Sequence, residues 1–436
     1  MEGVENERFR VKLRTDGALA ITNIEENKIK VYKGIDKQIV ALLLKYSKSS
    51  HVEKLILEKM GENAENVLGK LEHIIDELKD MNIINEEKNN TSYKINKQNL
   101  DIYSENLTKS LDEIYIEITK RCNLRCYHCY IDNDILKREM SIEKIQDIID
   151  QAAEMGVLMI KVTGGEPLIH KDFFKIAKYI RDKNMLLRVY TNGTSLNEDV
   201  INNMYNCGVK EIQISVDGFY DETHDSIRRK KGNLNNIKQA LPILEKNNIK
   251  TILSFTATDF NVSEIKYFSE YLKEFKHIKL NASLFMNYHN KQECNHDMLN
   301  VSNDTINELK RCAYTMQDVW SKKMDYGFTY SNDNIGYCGA GNFSMYISSI
   351  GEVYMCPVLQ ENSFRLGNVN GERLKDIWEN SEALNEFRKY KLRDIDKCNS
   401  CQKVNECRGG CRVRAYLSND SIYSHDPISC SMFLED

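Results

Sequence analysis

Three closely spaced cysteines constrain this 436-residue chain more than any other feature of its sequence. Cys122, Cys126 and Cys129 have the spacing C-x3-C-x2-C within the run RCNLRCYHCY. Three thiolates at this spacing suit one cubic iron-sulfur cluster, because they bind three irons and leave the fourth iron open. A zinc site is the alternative, but such sites normally have four ligands in two pairs, and only His128 is available here as a fourth. The spacing therefore predicts a cluster-binding loop.

The composition limits the compartment and the partners of the chain. The 60 Lys and Arg and 65 Asp and Glu residues give a net charge of -5, so we expect no basic surface that binds nucleic acid. No apolar run approaches the roughly 20 residues that cross a bilayer, and the first ten residues lack the apolar core of a signal peptide. We therefore expect a cytoplasmic protein without membrane partners. Its 13 cysteines stay reduced in that compartment, which favours metal ligation over disulfides.

Short apolar segments alternate with helix-length segments in the middle of the chain. Six strands are predicted, at Ile114–Thr119, Leu158–Thr163, Leu186–Tyr190, Glu211–Val216, Lys250–Thr258 and Ile278–Phe285. The first intervening helix is predicted to begin after Ser141, a capping residue, and to end at Gly156. This alternation predicts an α/β domain with a parallel sheet, and six right-handed βα units form a partial (β/α)6 barrel.

Polar and glycine-rich motifs follow successive predicted strands. Cys122 comes after the first strand, and the segment Gly164-Gly165-Glu166-Pro167 comes after the second. Asn192 follows the third strand, and Ser215 and Asp217 lie at the end of the fourth. Since ligands of parallel sheets bind at the carboxyl ends of the strands, we expect these motifs to form one site.

The cysteine motif followed by the GGEP segment resembles the motifs of the radical SAM superfamily. The resemblance implies a [4Fe-4S] cluster on Cys122, Cys126 and Cys129, with S-adenosylmethionine (SAM) at the open iron. It also implies SAM contacts from the flat ring before the third cysteine and from the strand ends: His128, Gly164, Gly165, Glu166, Pro167, Asn192, Ser215, Asp217 and Arg228. A serine or aspartate at a strand end also caps helices, and this alternative stays open for Ser215 and Asp217. The sequence identifies no catalytic acid or base.

The first hundred residues have a different pattern, in which strands precede helices. We predict strands at Phe9–Leu13, Ala18–Asn23 and Ile29–Tyr32 and helices at Asp36–Tyr46, Ser50–Met60 and Ala64–Met81. This winged-helix pattern resembles the PqqD-like element of enzymes that modify ribosomally made peptides, which binds the leader of a precursor peptide as an added strand. A DNA-binding winged helix is the alternative, but acidic residues such as Glu65, Glu72 and Glu77 would repel phosphates.

Seven further cysteines in the last hundred residues resemble the signature of the SPASM domain. The resemblance implies two auxiliary [4Fe-4S] clusters, and three clusters in all. Auxiliary cluster I is expected on Cys338, Cys356 and Cys411, and auxiliary cluster II on Cys398, Cys401, Cys407 and Cys430. A zinc ribbon is the alternative for the segment from Cys398 to Cys411, but it leaves the other cysteines unexplained.

Auxiliary cluster I has one ligand fewer than a cubic cluster needs. Residues 332–337 lack the eighth cysteine of some relatives, so this cluster has an open iron unless Cys294 or Cys312 closes it. An open iron suits the binding of a substrate thiolate. The alternative for these two cysteines and for Cys207 is packing as small apolar side chains.

We expect a leader-recognition domain at 1–95, a linker at 96–112, a radical SAM barrel at 113–315 and a SPASM domain at 316–436. The resemblances together imply a peptide maturase that forms a thioether within a precursor peptide, with electrons from a flavodoxin- or ferredoxin-type donor. Carbon-carbon crosslinking and epimerisation of the peptide stay open. A formylglycine maturase of sulfatases and a non-catalytic iron-sulfur sensor that binds DNA are further alternatives, and the N-terminal pattern argues against the first of them.

Overall fold

The computed structural model describes residues 8–15, 17–46, 48–59, 64–86, 93–95, 100–104, 109–129, 139–286, 298–316, 318–319 and 339–434. They belong to two compact units, of which the first reaches Ser110 and the second begins at Leu111. No helix in the described part of the chain has the length and apolar character to span a membrane.

The first unit is a small sheet with three helices. Its elements are β1 (Phe9–Leu13), β2 (Leu19–Asn23), β3 (Lys28–Tyr32), α1 (Gly34–Tyr46), α2 (Ser49–Lys59), α3 (Ala64–Asp80), β4 (Ile84–Glu86), β5 (Tyr93–Ile95) and β6 (Leu100–Ser104). The main sheet has the order β3-β2-β1-β6, so β3 is an edge strand among the described residues, and β4 pairs with β5 separately. The core forms where the apolar stripe of α3, which includes Val67, Leu71, Ile74 and Leu78, packs with Phe9 and other buried residues of this unit.

The N-terminal strands and helices lie within about two residues of the predicted positions. One difference concerns the predicted linker, because β6 lies inside it and pairs in parallel with β1, with Phe9 opposite Leu100 and Val11 opposite Ile102. The Ser110 hydroxyl also accepts a hydrogen bond from the Thr15 backbone N–H at 3.1 Å. The first unit therefore extends well beyond residue 95.

The second unit combines a parallel α/β sheet with a helical C-terminal part. Its first elements are β7 (Glu113–Thr119), α4 (Ile142–Glu154), β8 (Met159–Gly164), α5 (Phe173–Asp182), β9 (Leu186–Thr191), α6 (Glu198–Asn206), β10 (Glu211–Val216), α7 (Asp221–Arg228), α8 (Asn233–Lys246), β11 (Lys250–Ala257), α9 (Phe268–Leu272), β12 (Ile278–Leu284) and α10 (Asn303–Thr315). Then follow β13 (Ser344–Ile347), β14 (Glu352–Tyr354), β15 (Arg365–Asn368), α11 (Leu374–Asn380), α12 (Glu382–Lys389), α13 (Val404–Cys407), α14 (Arg412–Asn419) and α15 (Pro427–Phe433).

Strands β7 to β12 are the six predicted strands, and they lie side by side in chain order, all parallel. The helix after β7 begins as predicted, because the Ser141 hydroxyl accepts a hydrogen bond from the Lys144 N–H. Gly156 lies just past its end with a φ of 70°, in the left-handed region. The prediction of an α/β fold with a parallel sheet is confirmed.

The C-terminal part shares the sheet of the barrel instead of forming a separate one. Strand β13 pairs in parallel with β7, with Tyr346 opposite Tyr115, and β14 and β15 extend the sheet in antiparallel order. The predicted boundary at residue 316 therefore does not separate two sheets, because the nine strands form one layer with the order β12-β11-β10-β9-β8-β7-β13-β14-β15.

Candidate functional site

A cavity of about 300 Å³ lies at the carboxyl ends of the parallel strands. Most of the predicted cluster and SAM residues border it, namely Cys122, Cys126, His128, Cys129, Gly164, Gly165, Asn192, Ser215 and Arg228. The lining comes from the cysteine loop and from the ends of strands β8 to β12, so the sheet curves around the cavity. Glu166, Pro167 and Asp217 are buried next to these residues.

The GGEP segment packs directly against the chain that enters the cysteine loop. The Gly165 N–H donates to the Thr119 carbonyl and the Glu166 N–H donates to the Arg121 carbonyl, both at 2.9 Å. A Cβ atom on Gly165 would lie 2.3 Å from the Arg121 carbonyl oxygen. The close approach of two backbones therefore requires glycine at this position. It holds the cysteine loop at the mouth of the sheet.

N–H groups point at the sulfur atoms of the cysteine loop. Cys122 Sγ accepts from the Leu124 backbone N–H at 3.4 Å and from Asn192 Nδ2 at 3.7 Å. Arg228 Nη1 lies 3.8 Å from Cys126 Sγ. Burial raises the pKa of Cys126 to about 11, although the Arg228 charge opposes this shift. N–H donors thus lie beside the thiols of Cys122 and Cys126, and Cys129 borders the same cavity. Because a bound metal deprotonates a coordinating thiol outright, these thiols fit the ligands of an iron-sulfur cluster.

The carboxylate of Glu166 organises the backbone around the cavity. It accepts from the Asn192 backbone N–H at 2.6 Å, from the Thr191 hydroxyl at 2.9 Å and from the Leu168 N–H at 3.1 Å. Burial raises its pKa to about 7, and these hydrogen bonds oppose the rise. Glu166 thereby links the GGEP segment to the end of β9, a contact that the sequence did not predict.

Asp217 and Arg228 form a buried ion pair beside His128. Arg228 Nε lies 2.5 Å from Asp217 Oδ2, and His128 Nε2 lies 3.5 Å from the same oxygen. Burial alone would raise the pKa of Asp217. The charge and hydrogen bond of Arg228, together with the nearby rings of His128 and His224, outweigh burial and lower the pKa below its usual value. Burial lowers the pKa of His128 to about 4, so the ring is neutral near pH 7.

His128, a predicted SAM contact, has a ring nitrogen without a hydrogen-bond partner among the described residues. This nitrogen, Nδ1, is buried at the cavity. A neutral ring with an open nitrogen offers a polar ligand one hydrogen bond. This arrangement fits the predicted role of His128 beside the adenosyl part of SAM.

Sequence reasoning missed much of the cavity wall. Thr163, Tyr190, Ser254, Thr256 and Ser283 also line it. These residues lie on the face of the sheet that carries Ser215, and the signal was available, because residues that alternate along a strand share a face. The wall combines these polar groups with apolar side chains such as Leu284, Phe285 and Met286, so the cavity suits a ligand that has both hydrogen-bonding and apolar parts.

Four C-terminal cysteines lie near one another. Burial raises the pKa of Cys398, and the charges of Cys430 and Cys401 raise it further. Cys407 behaves in the same way, with a pKa raised to about 11 by burial and then by Cys430. The four cysteines are thus close enough to influence one another's charge. Their role as ligands of auxiliary cluster II stays a prediction, since no group of three or more possible metal ligands is assembled among the described residues.

Asp426 anchors the chain around these four cysteines. It accepts from the Cys411 backbone N–H at 2.8 Å and from Arg414 Nε at 2.9 Å, and it caps α15, which carries Cys430. Of the predicted ligands of auxiliary cluster I, Cys356 follows β14 and Cys411 precedes α14. The third, Cys338, lies outside the described residues.

The remaining cysteines have separate environments. Cys312 is buried in α10, where its thiol donates to Glu308 Oε1 at 3.7 Å, and it is therefore part of a helix and not of a loop. Cys207 is partly buried at the end of α6, and burial raises its pKa. Cys294 lies outside the described residues.

Comparisons with known families agree with the two cysteine motifs. The sequence profile of the radical SAM superfamily matches residues 116–272, and that of the SPASM iron-sulfur cluster-binding domain matches residues 338–402. The chain therefore contains a radical SAM domain, followed by a SPASM domain.

Two curated relatives are similar in sequence over most of the chain. The AdoMet-dependent heme synthase of Methanosarcina barkeri is 27% identical, with 71% of this chain and 94% of that protein covered. The mycofactocin maturase MftC of Mycolicibacterium smegmatis is 26% identical, with 71% and 80% covered.

A solved structure is similar in fold over almost the entire chain. SuiB of Streptococcus suis, bound to S-adenosylmethionine, has a TM-score of 0.65 at 16% identity, with 98% of this chain and 99% of that chain covered. This coverage includes most of the first unit.

Proposed function

We propose that this protein modifies a ribosomally made precursor peptide, using SAM and three [4Fe-4S] clusters. The observation that carries the proposal is a single cavity that gathers the three cysteines of the C-x3-C-x2-C motif, both glycines of the GGEP segment and Arg228. When bound there, the cluster and SAM supply hydrogen abstraction from an unactivated carbon. Asn192 donates a hydrogen bond to the sulfur atom of Cys122, and Arg228 donates one to the sulfur atom of Cys126. Glu166 accepts from the Asn192 backbone and so fixes the loops that would form the SAM pocket.

The first unit supports a peptide as the substrate. Its strand β3 is an edge strand, and a groove of about 580 Å³ lies between β3 and α3. An edge strand offers unpaired backbone groups to an extended peptide, which can bind as a further strand. We infer that the leader of the precursor binds in this groove, in agreement with the predicted PqqD-like element.

A thioether between a cysteine sulfur and a carbon is the product that we favour. The sequence provides three cysteines, Cys338, Cys356 and Cys411, for auxiliary cluster I, which leaves one position for a substrate thiolate. Formation of this bond would remove two hydrogens from the peptide, one hydrogen atom from the carbon and one proton with one electron from the thiol. SAM cleaved at the first cluster would supply the radical that takes the hydrogen atom, and an auxiliary cluster held by these cysteines would supply the acceptor for the electron. A flavodoxin- or ferredoxin-type protein supplies the electrons for SAM cleavage.

The likeness to the heme synthase supports a second candidate, a radical reaction on a porphyrin. Its alignment covers 71% of this chain, whereas the fold of SuiB covers 98%. The first unit, with its open strand edge, has a role in the peptide proposal and none in the porphyrin one. We therefore favour a peptide substrate.

The exact mass of a peptide encoded beside the gene tests the proposal. The full-length protein is reconstituted without oxygen and incubated with the peptide, SAM and a strong reductant in deuterated water. We expect a loss of two hydrogens per bond that requires the leader. Cys126→Ala is the control that abolishes both SAM cleavage and product, while Cys338→Ala is expected to abolish the product and retain SAM cleavage.

Other outcomes contradict specific parts of the proposal. A peptide of unchanged composition that gains deuterium would identify an epimerase. SAM cleavage without any change in the peptide would exclude the peptide as substrate, and conversion of a porphyrin in a parallel reaction would favour the second candidate. If the Cys338→Ala variant still forms the modified peptide, auxiliary cluster I does not bind the substrate thiolate as proposed.

A further inference from the structure

In the groove between β3 and α3, one lining position is a glycine, Gly69, and therefore has no side chain. The groove lining comes from β3, from Asp36 of α1 and from one face of α3, namely Lys30, Val31, Tyr32, Asp36, Asn66, Gly69, Lys70, His73, Ile74 and Glu77. Gly69 is an exposed residue well inside the 17-residue helix α3. A glycine there costs helix stability, about 1 kcal/mol relative to alanine.

The first unit itself gives no reason for glycine at this position. Gly69 has ordinary helical backbone and not the left-handed conformation that favours glycine. A Cβ atom added to it would meet nothing within 4 Å. Neither packing nor backbone conformation therefore explains the glycine, and the space that it leaves opens into the groove.

The charges of the groove are largely paired with one another. Lys30 Nζ lies 3.0 Å from Glu77 Oε1, and Lys70 Nζ lies 3.4 Å from Asp36 Oδ1. Paired charges give a weak net field, so the groove distinguishes ligands by shape more than by charge. Its apolar surface comes from Val31, Tyr32 and Ile74, of which Tyr32 and Ile74 are buried core residues.

We propose that Gly69 is a specificity-determining position, whose missing side chain admits a bulky apolar side chain of the leader peptide. The inference rests on the proposed binding of the leader to β3. In a peptide added to β3, alternate side chains face α3, because successive residues of a strand point to opposite sides. One of these side chains reaches the space at Gly69 and contacts the apolar surface of the groove.

The test compares Gly69→Ala with the wild type in the full-length protein. Alanine strengthens the helix, so we expect slower hydrogen exchange in α3. The added methyl group occupies the space of the peptide side chain, so we expect the Kd for the leader peptide to rise about tenfold, a change typical of overpacking by one methyl group. Glu72→Ala, on an exposed part of α3 outside the groove lining, should also favour the helix without changing the Kd.

A scan of the leader peptide identifies the partner of Gly69. One bulky apolar residue should weaken wild-type binding when it is replaced by alanine, and the same replacement should have a much smaller effect with Gly69→Ala. Unchanged affinity in Gly69→Ala, with slower exchange in α3, would overturn the inference while leader binding stands. If the wild type binds no leader, the proposed function fails, and the inference fails with it.

Discussion

Lys161 and Glu113 form an ion pair whose side chains have no exposed surface. Lys161 Nζ lies 2.6 Å from Glu113 Oε2 and donates to the Tyr115 hydroxyl at 3.2 Å. Lys161 precedes the cavity residue Thr163 by two positions on β8, so its side chain lies on the same face of the sheet. The two charges therefore lie on the face of the sheet that forms the cavity, but are buried below it. Because water cannot solvate them there, each charge is stabilised by the other.

Replacement of Lys161 by Met leaves the Glu113 carboxylate buried without its cation. We expect the free energy of unfolding to fall by about 3–5 kcal/mol, measured by denaturant unfolding followed by circular dichroism. The double variant Lys161→Met with Glu113→Leu should recover most of this loss, since no unpaired charge remains. Lys178→Met is the matched control, because Lys178 and Asp182 form an ion pair with both side chains exposed and such pairs contribute less than about 1 kcal/mol. Equal losses in both single variants would contradict the argument.

At the scale of elements, a buried carboxylate joins the barrel to the strands that precede Cys356. Glu117 on β7 accepts from the Tyr346 hydroxyl on β13 at 2.7 Å, and from the Ser349 hydroxyl and N–H at 2.7 and 3.0 Å. Ser349 lies in the turn between β13 and β14. Three donors on one carboxylate fix this turn, and β14 leads directly to Cys356, a predicted ligand of auxiliary cluster I.

Glu117→Gln keeps the size of the side chain but replaces one acceptor oxygen by a donor. One of the three donors then loses its acceptor, so we expect a loss of about 1–3 kcal/mol that is local to β13 and β14. Hydrogen exchange measured by mass spectrometry should rise in Ser344–Tyr354 and stay unchanged in β10 and β11. Glu352→Gln is the control on the same hairpin, where the side chain is partly exposed and accepts from the Tyr354 hydroxyl. Exchange that rises across the entire sheet would exclude a local role.

At the scale of the molecule, the chain divides into two compact units at residue 110. Each unit has its own core and its own cavity. The residues that border the cluster site belong to the second unit, and the groove of β3 and α3 belongs to the first. Binding of the leader and cleavage of SAM should therefore be separable.

A protein of residues 111–436 tests this separation. We expect it to cleave SAM reductively at a rate within about threefold of the full chain, a difference below 1 kcal/mol in activation free energy. Its modification of the precursor should fall to background at leader concentrations that saturate the full chain. The matched control is the full chain incubated with a precursor peptide that lacks its leader. This control should also cleave SAM while modification of the peptide falls to background. Full modification by residues 111–436 would exclude a role for the first unit.

Much of the fold and the site follows from local sequence. The alternation of short apolar segments with helix-length segments predicted the six parallel strands, and the caps at Ser141 and Gly156 predicted the first helix between them. The spacing of the cysteines and their position after a strand gave the residues that gather at the cavity. Such features are encoded within a few residues of one another, since they depend on backbone conformation and on side-chain alternation.

Only the tertiary structure decided which distant segments meet. The pairing of β6 with β1 and of β13 with β7 joins segments roughly a hundred residues apart or more, and an isolated strand does not specify its partner. The contacts of Glu117 and Glu166, and the space at Gly69, exist only once those segments are assembled. The sequence by itself determined which residues can bind a cluster, because ligand chemistry is local. The fold determined what surrounds them, because burial and long-range contacts depend on the assembled chain.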